Sequence, residues 1–235
     1  LFPTGRQTTT LANPTPFTHS RSAMKLYIAR ATCSLAVQAV FNELNLAPEL
    51  VHFDVFGKTT SDGSDFAGIN PLLYVPALVL DGEDEPLTET IIIASYIADQ
   101  HPESGLIPKH GTPERARMDQ LLTFVATEIA QKHIPLMRKL MTPEGIAFNV
   151  NKLLKAYAKL DAMLGDGRSY LTGEQFTVAD AYVWATMWHE RSGVKLDHLA
   201  NLNAYIGRIE ARASVKRALK DEAEVVARHE SAVAV

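Results

Sequence analysis

The chain is short of several things, and each shortage closes off a class of function. It holds one cysteine, Cys33, in 235 residues. No intramolecular disulfide framework and no cysteine-rich metal cluster can be built from that. A reducing, cytoplasmic setting is the natural expectation. No apolar run approaches the ~18 residues that a membrane span needs, so no span is expected. Positive charge is not in surplus: 23 Lys and Arg against 27 Asp and Glu leave a net charge of −4. Nucleic acid recognition, which calls for a basic face, is therefore not expected. His189, Glu190 and His198 lack the His-x-x-x-His register of a helical metal site, so no metal is expected either. What is present is a globular composition, 46% hydrophobic and 21% charged, long enough for two modest domains with real cores.

Residues 1–23 carry Thr, Pro and Ser, no acidic residue and no hydrophobic periodicity. They read as a disordered or non-native extension, since they also lack the continuous apolar stretch of a secretory signal. From Met24 the pattern becomes legible. Lys25–Ala29 reads as a strand, Cys33–Phe41 as a helix with apolar residues at helical spacing, and Leu50–Val55 as a second strand. Phe56–Ile69 reads as a loop with a short helix. Val75–Leu80 is a third strand, Asp81-Gly82 a turn, Pro86–Thr88 a fourth strand, and Ile91–Gln100 an apolar helix stopped by His101-Pro102. The order over 24–102 is β-α-β-α-β-β-α.

After a linker at 103–111 only helices follow, over 112–235. Thr112-Pro113-Glu114 and Thr142-Pro143-Glu144 are two copies of one start signal: a capping hydroxyl, a proline at the first helical position and an acid in the first turn. Met118, Leu121, Leu122, Val125 and Ile129 form one apolar stripe. Ile146, Val150, Leu153, Tyr157, Leu160 and Leu164 form a coiled-coil-like seam. Thr177-Val178-Ala179-Asp180 is a capping-box arrangement heading a helix to Arg191, and Asn201 is read as the cap of another. Trp184 and Trp188 are read as core or pocket wall, His133 as a surface histidine before Pro135, and Arg208–Glu224 as a solvated helical face.

The chemistry gathers around Leu72–Leu80 and Leu87–Thr90. Pro76, inside an apolar strand-like run, cannot donate to a ladder. A cis bond after Val75 is one reason to keep it, and an ordinary trans edge strand is the other reading. The cis form would turn the Val75 backbone outward as an edge for an extended peptide. Glu89-Thr90 places a carboxylate and a hydroxyl at a helix start, a corner that suits a ligand carrying both an ammonium and a carboxylate. Cys33 lies at another helix start, where unpaired N–H groups favour a thiolate. The alternative there is a small buried hydrophobe.

Taken together, Cys33-Ser34-Leu35, Ile69-Asn70-Pro71, Tyr74-Val75-Pro76-Ala77-Leu78, Leu87-Thr88-Glu89-Thr90, Phe124–Glu128 and Phe176–Asp180 resemble glutathione S-transferases. Lys25-Leu26-Tyr27 and Ala31–Leu35 are most similar to the bacterial beta class. The resemblance spans roughly residues 24–222 and implies an α/β plus all-α fold: a thioredoxin-like glutathione-binding domain, then a helical domain supplying the second-substrate pocket. It also implies a homodimer, with glutathione as co-substrate and a small hydrophobic electrophile as partner. Cys33 would lie beside the glutathione sulfur, as the catalytic residue. Val75, before the expected cis-Pro76, would pair with the cysteinyl backbone. Glu89 would meet the γ-glutamyl ammonium, Thr90 the γ-glutamyl carboxylate and Lys58 the glycyl carboxylate. Thr123 replaces an asparagine of the family's site.

Besides Thr123, four positions depart from the family. Leu72-Leu73 stand where relatives carry Lys-Gly, Ala130 stands where they carry a catalytic-site histidine, and Ile28 stands where many carry tyrosine. Two other functions stay open on the sequence: thiol–disulfide exchange through a Cys33 mixed disulfide, and a non-catalytic binding protein that kept the fold.

Overall fold

The computed structural model describes residues 24–233, so the extension expected over 1–23 lies outside the described residues. The elements of the first half run β1 (Lys25–Ile28), α1 (Ser34–Glu43), β2 (Glu49–Asp54), β3 (Thr59–Thr60), α2 (Phe66–Ile69), β4 (Ala77–Val79), β5 (Leu87–Thr88) and α3 (Thr90–Asp99). They form one sheet in the order β3-β2-β1-β4-β5. β1 runs parallel to β2, with Tyr27 opposite Val51, and antiparallel to β4, with Leu26 opposite Leu78.

Alternation along β1 explains the layering. Leu26 and Ile28 enter the main core with α1 and α3. Tyr27 points the other way, into a second cluster with Val51, Phe53, Phe66 and Ala77 beneath α2. Both sheet faces are therefore covered, and this half is the thioredoxin-like domain. The third strand is shorter than the sequence pattern suggests because it begins only after Pro76, which offers no ladder donor.

The second half is helical: α4 (Pro113–Val125), α5 (Gln131–Met137), α6 (Pro143–Met163), α7 (Val178–Thr186), α8 (His189–Ser192), α9 (Ala200–Glu210) and α10 (Ala213–Val233). A π-helical stretch, Ala126–Ala130, joins α4 to α5. The two Thr-Pro-Glu starts behave as read: Thr112 accepts the Arg115 N–H at 3.2 Å and Thr142 the Gly145 N–H at 3.3 Å. The Asp180 carboxylate is fully buried and accepts from the Thr177 N–H and hydroxyl, both at 2.8 Å. It also accepts from the Leu171 N–H at 3.0 Å and the Tyr205 hydroxyl at 2.9 Å.

Four expectations are corrected here. His133 is not on the surface; it is fully buried, with Nδ1 2.7 Å from the Ser192 hydroxyl and Nε2 2.6 Å from the Tyr157 hydroxyl. The helix begun at Val178 stops at Thr186, and α8 follows as a separate turn. Asn201 does not cap α9; it lies inside the first turn and its amide donates to Asp161. The charged run Arg208–Glu224 is not merely solvated. Arg212 pairs with Glu43 through two hydrogen bonds of 2.9 and 2.8 Å, and Glu222 is buried. The reason is that α10 packs back onto α1 and β2, so its inner face lies against the first domain. A second tie crosses the domains, with the Arg115 guanidinium of α4 donating to both Asp99 oxygens at 2.7 and 2.9 Å.

Candidate active site

Three short segments meet above the sheet. The first is the β1–α1 turn, in which Ala31 adopts a left-handed backbone (φ 54°) and the Thr32 hydroxyl donates to the Ala29 carbonyl at 2.9 Å. This turn delivers Cys33 as the N-cap residue of α1. The second is the chain before β4. Asn70 organises it, donating its amide to the Tyr74 carbonyl at 2.8 Å and accepting the Leu72 N–H at 3.1 Å. The Val75–Pro76 bond that follows is cis, as the sequence suggested. The third is the β5–α3 junction. Glu89 sits at φ 66° and ψ 118°, a conformation rarely taken by a side-chain-bearing residue. Its side chain caps nothing and is exposed. Thr90 opens α3 and is buried.

Cys33 joins the three. Its thiol donates to the Val75 carbonyl at 3.6 Å, and its sulfur lies near the Thr90 side chain. Burial pushes the thiol above its ordinary pKa, and the Glu89 charge adds to that; the Thr90 contact and the residue's own backbone N–H pull the other way without prevailing. That direction runs against the expected thiolate. The N–H groups of the first helical turn are already taken: Leu35 donates to the Thr32 carbonyl at 3.2 Å and Ser34 to the Thr32 hydroxyl at 3.4 Å. The helix end therefore has little left to offer the sulfur. A protonated Cys33 is a hydrogen-bond donor, not a nucleophile.

Of the other anticipated residues, Pro76 is buried behind Val75. Lys58 lies in the exposed β2–β3 turn at φ 55°, its N–H bonded to the Asp54 carbonyl at 2.7 Å. The exposed Thr123 donates its hydroxyl to the Asp119 carbonyl at 2.8 Å, within its own helix. Neither is drawn into the Cys33 group. Leu72 is 69% exposed and Tyr74 61%, while Leu73 packs against the second cluster.

Two contributors escaped the sequence reading. Tyr182 of α7 lies near both Cys33 and Glu89, and burial above all raises its hydroxyl pKa. It belongs to the helical domain, and nothing but tertiary packing brings it near the thiol. Asn70 had a signal, since Asn-Pro before the Val75 segment is a turn pair. Cavities of about 190 Å3 between α1 and α10 and about 310 Å3 beside α8 lie elsewhere. Among the described residues, no three His, Cys, Asp or Glu side chains gather to hold a metal, and no helix is long and apolar enough to cross a membrane.

A thioredoxin-like sheet, a thiol at one helix start and a carboxylate–hydroxyl pair at another make up the candidate site. The family follows from comparison. Residues 22–99 match the glutathione S-transferase N-terminal domain and residues 143–189 the C-terminal domain. The chain is 32% identical to glutathione S-transferase GstA of Escherichia coli O157:H7, over 85% of this chain and 98% of that one. It is similar to the bacterial beta class glutathione S-transferase of Sphingomonas chungbukensis (TM-score 0.78, 36% identity, covering 84% of this chain and 98% of that one). It is equally similar to a sphingomonad glutathione S-transferase solved in complex with glutathione (TM-score 0.79, 36% identity, 85% and 98%). The chain belongs to the glutathione S-transferase family.

Proposed function

We propose that the chain acts as a beta-class transferase, a cytoplasmic homodimer that joins glutathione to small hydrophobic electrophiles. Residues 24–102 bind glutathione, 103–111 link, and 112–235 supply the electrophile's pocket. The glutathione backbone pairs with Val75. Its ammonium meets the unengaged Glu89 carboxylate, and its γ-glutamyl carboxylate meets Thr90 at the start of α3. Lys58, on its exposed turn, reaches for the glycyl carboxylate, and Thr123 lies at the rim of the same site. Exposed Leu72, Tyr74, Ile92 and Tyr96 support the dimer, because large side chains left in water favour a partner surface.

The observation that carries the reading is the Cys33 thiol against the Val75 carbonyl and Thr90. Placed there, its S–H can turn from the carbonyl to the incoming glutathione sulfur and stabilise that sulfur as the anion. The glutathione thiolate then attacks the electrophile. A carbon–sulfur bond forms, the leaving group departs with its electron pair, and the thiol proton goes to solvent. A pKa raised by burial leaves less thiolate to attack a disulfide, which favours conjugation over thiol–disulfide exchange. Titration calorimetry with glutathione and conjugation rates with an activated aryl halide test this on wild type and Cys33→Ser. Both proteins should bind glutathione, with slower turnover in the variant. No glutathione binding by the wild type would sink the proposal.

A further inference from the structure

The peptide that presents Cys33 is gripped from the other domain. Ala31 holds its left-handed backbone with both polar backbone groups bonded to distant side chains. Its N–H donates to Glu222 Oε1 of α10 at 2.9 Å, across 191 residues of sequence. Its carbonyl accepts from the Arg191 guanidinium of α8 at 2.7 Å, across 160. One residue earlier, a single Arg30 guanidinium nitrogen donates to both Glu230 oxygens at 2.9 Å. Glu222 is 6% exposed, and its second oxygen has no hydrogen bond of normal geometry, only the buried Gln38 amide nearby. A buried carboxylate with one oxygen unpaired is an expensive way to fill space. An acceptor at that place can hold the Ala31 N–H, and an apolar side chain cannot. A strained backbone of this kind persists only where its surroundings over-determine it.

We propose that Glu222 and Arg191 are positioning residues, clamping the Ala31 peptide so that the Cys33 sulfur stays against Val75 and Thr90. The inference rests on the reading of Cys33 given above and deepens it. It makes the helical domain responsible for the geometry of a thiol in the other domain.

The experiment compares Glu222→Gln, Glu222→Leu and Arg191→Met with wild type. Cys33 alkylation by iodoacetamide is followed from pH 6 to 10, and the glutathione KM and kcat are measured. Glu222→Gln keeps an acceptor oxygen and should match wild type in every readout. Glu222→Leu and Arg191→Met should loosen the turn and unbury the sulfur. The alkylation midpoint then moves to lower pH, and the glutathione kcat/KM falls roughly tenfold. Arg191 is exposed, so its variant tests the clamp even where Glu222→Leu fails to fold. A wild-type alkylation profile and wild-type kinetics in Arg191→Met overturn the proposal. Alkylation requires no glutathione, so it reads the clamp even if Cys33→Ser shows the thiol to be dispensable for conjugation.

Discussion

The Tyr157 hydroxyl lies 2.6 Å from Nε2 of His133, inside the helical domain. On the other side of the ring, the Ser192 hydroxyl sits 2.7 Å from Nδ1 and itself donates to the His189 carbonyl at 3.1 Å. That order assigns the proton to Nδ1, with Tyr157 donating to Nε2. The ring is neutral, and α5, α6 and α8 are tied through it.

Burial lowers the His133 pKa from 6.5 to about 4, with His189 adding to the shift. The unfolded chain therefore takes up the proton first. The stability contributed by the neutral ring is fully present above pH 6.5 and is lost as pH falls toward 4. The span corresponds to roughly 3 kcal/mol. Urea unfolding of wild type and His133→Gln across pH 7.5 to 4 should show a steeper loss in the wild type by about that amount. Parallel curves would contradict the buried neutral ring.

Arg115 and Asp99 make the inter-domain tie with two parallel hydrogen bonds, and Arg115 is largely buried. Arg115→Met removes both and leaves the half-buried Asp99 charge without its partner. A loss of roughly 2 kcal/mol is expected. Restoring much of it in Arg115→Met/Asp99→Asn would confirm that the penalty comes from the stranded carboxylate, and the midpoint of urea denaturation reads both.

Asp180 serves four donors from a fully buried position. Asp180→Ala strands the Leu171 and Thr177 N–H groups together with two hydroxyls. The expected loss is roughly 3–5 kcal/mol. Hydrogen exchange should show the first turn of α7 losing protection before α1 does. Equal protection in both helices would mean that the cap does not anchor α7 locally.

Glu89 carries a free carboxylate on a strained backbone, and Thr90 lies near the Cys33 sulfur. Glu89→Gln and Thr90→Val should each weaken glutathione binding roughly ten- to hundredfold, the worth of a hydrogen bond to a charged group. Calorimetry measures it. An unchanged dissociation constant in both would move the γ-glutamyl group elsewhere.

Local rules decided a good deal of this protein. Period-two alternation in Lys25–Ile28, the two Thr-Pro-Glu starts and the Thr177/Asp180 pair each depend on neighbours within four residues, and a linear reading sees those. The Val75–Pro76 edge and the Glu89-Thr90 corner were legible for a related reason: proline and a helix start impose their own backbone demands. Residue identity also named Cys33 as the thiol.

Tertiary structure alone decided which way its pKa moves, because its partial burial and the Thr90 neighbour arrive from other elements. The same holds for His133, which flanking residues made look like a surface group until Tyr157 and Ser192 closed over it. It holds too for the charged last helix, whose inner face is defined only once α10 returns to α1 and β2. Hydrogen bonds that span 160 or 191 residues leave no periodicity in the sequence. The packing of the two domains, and no stretch of either one, places Ala31 and the thiol beyond it.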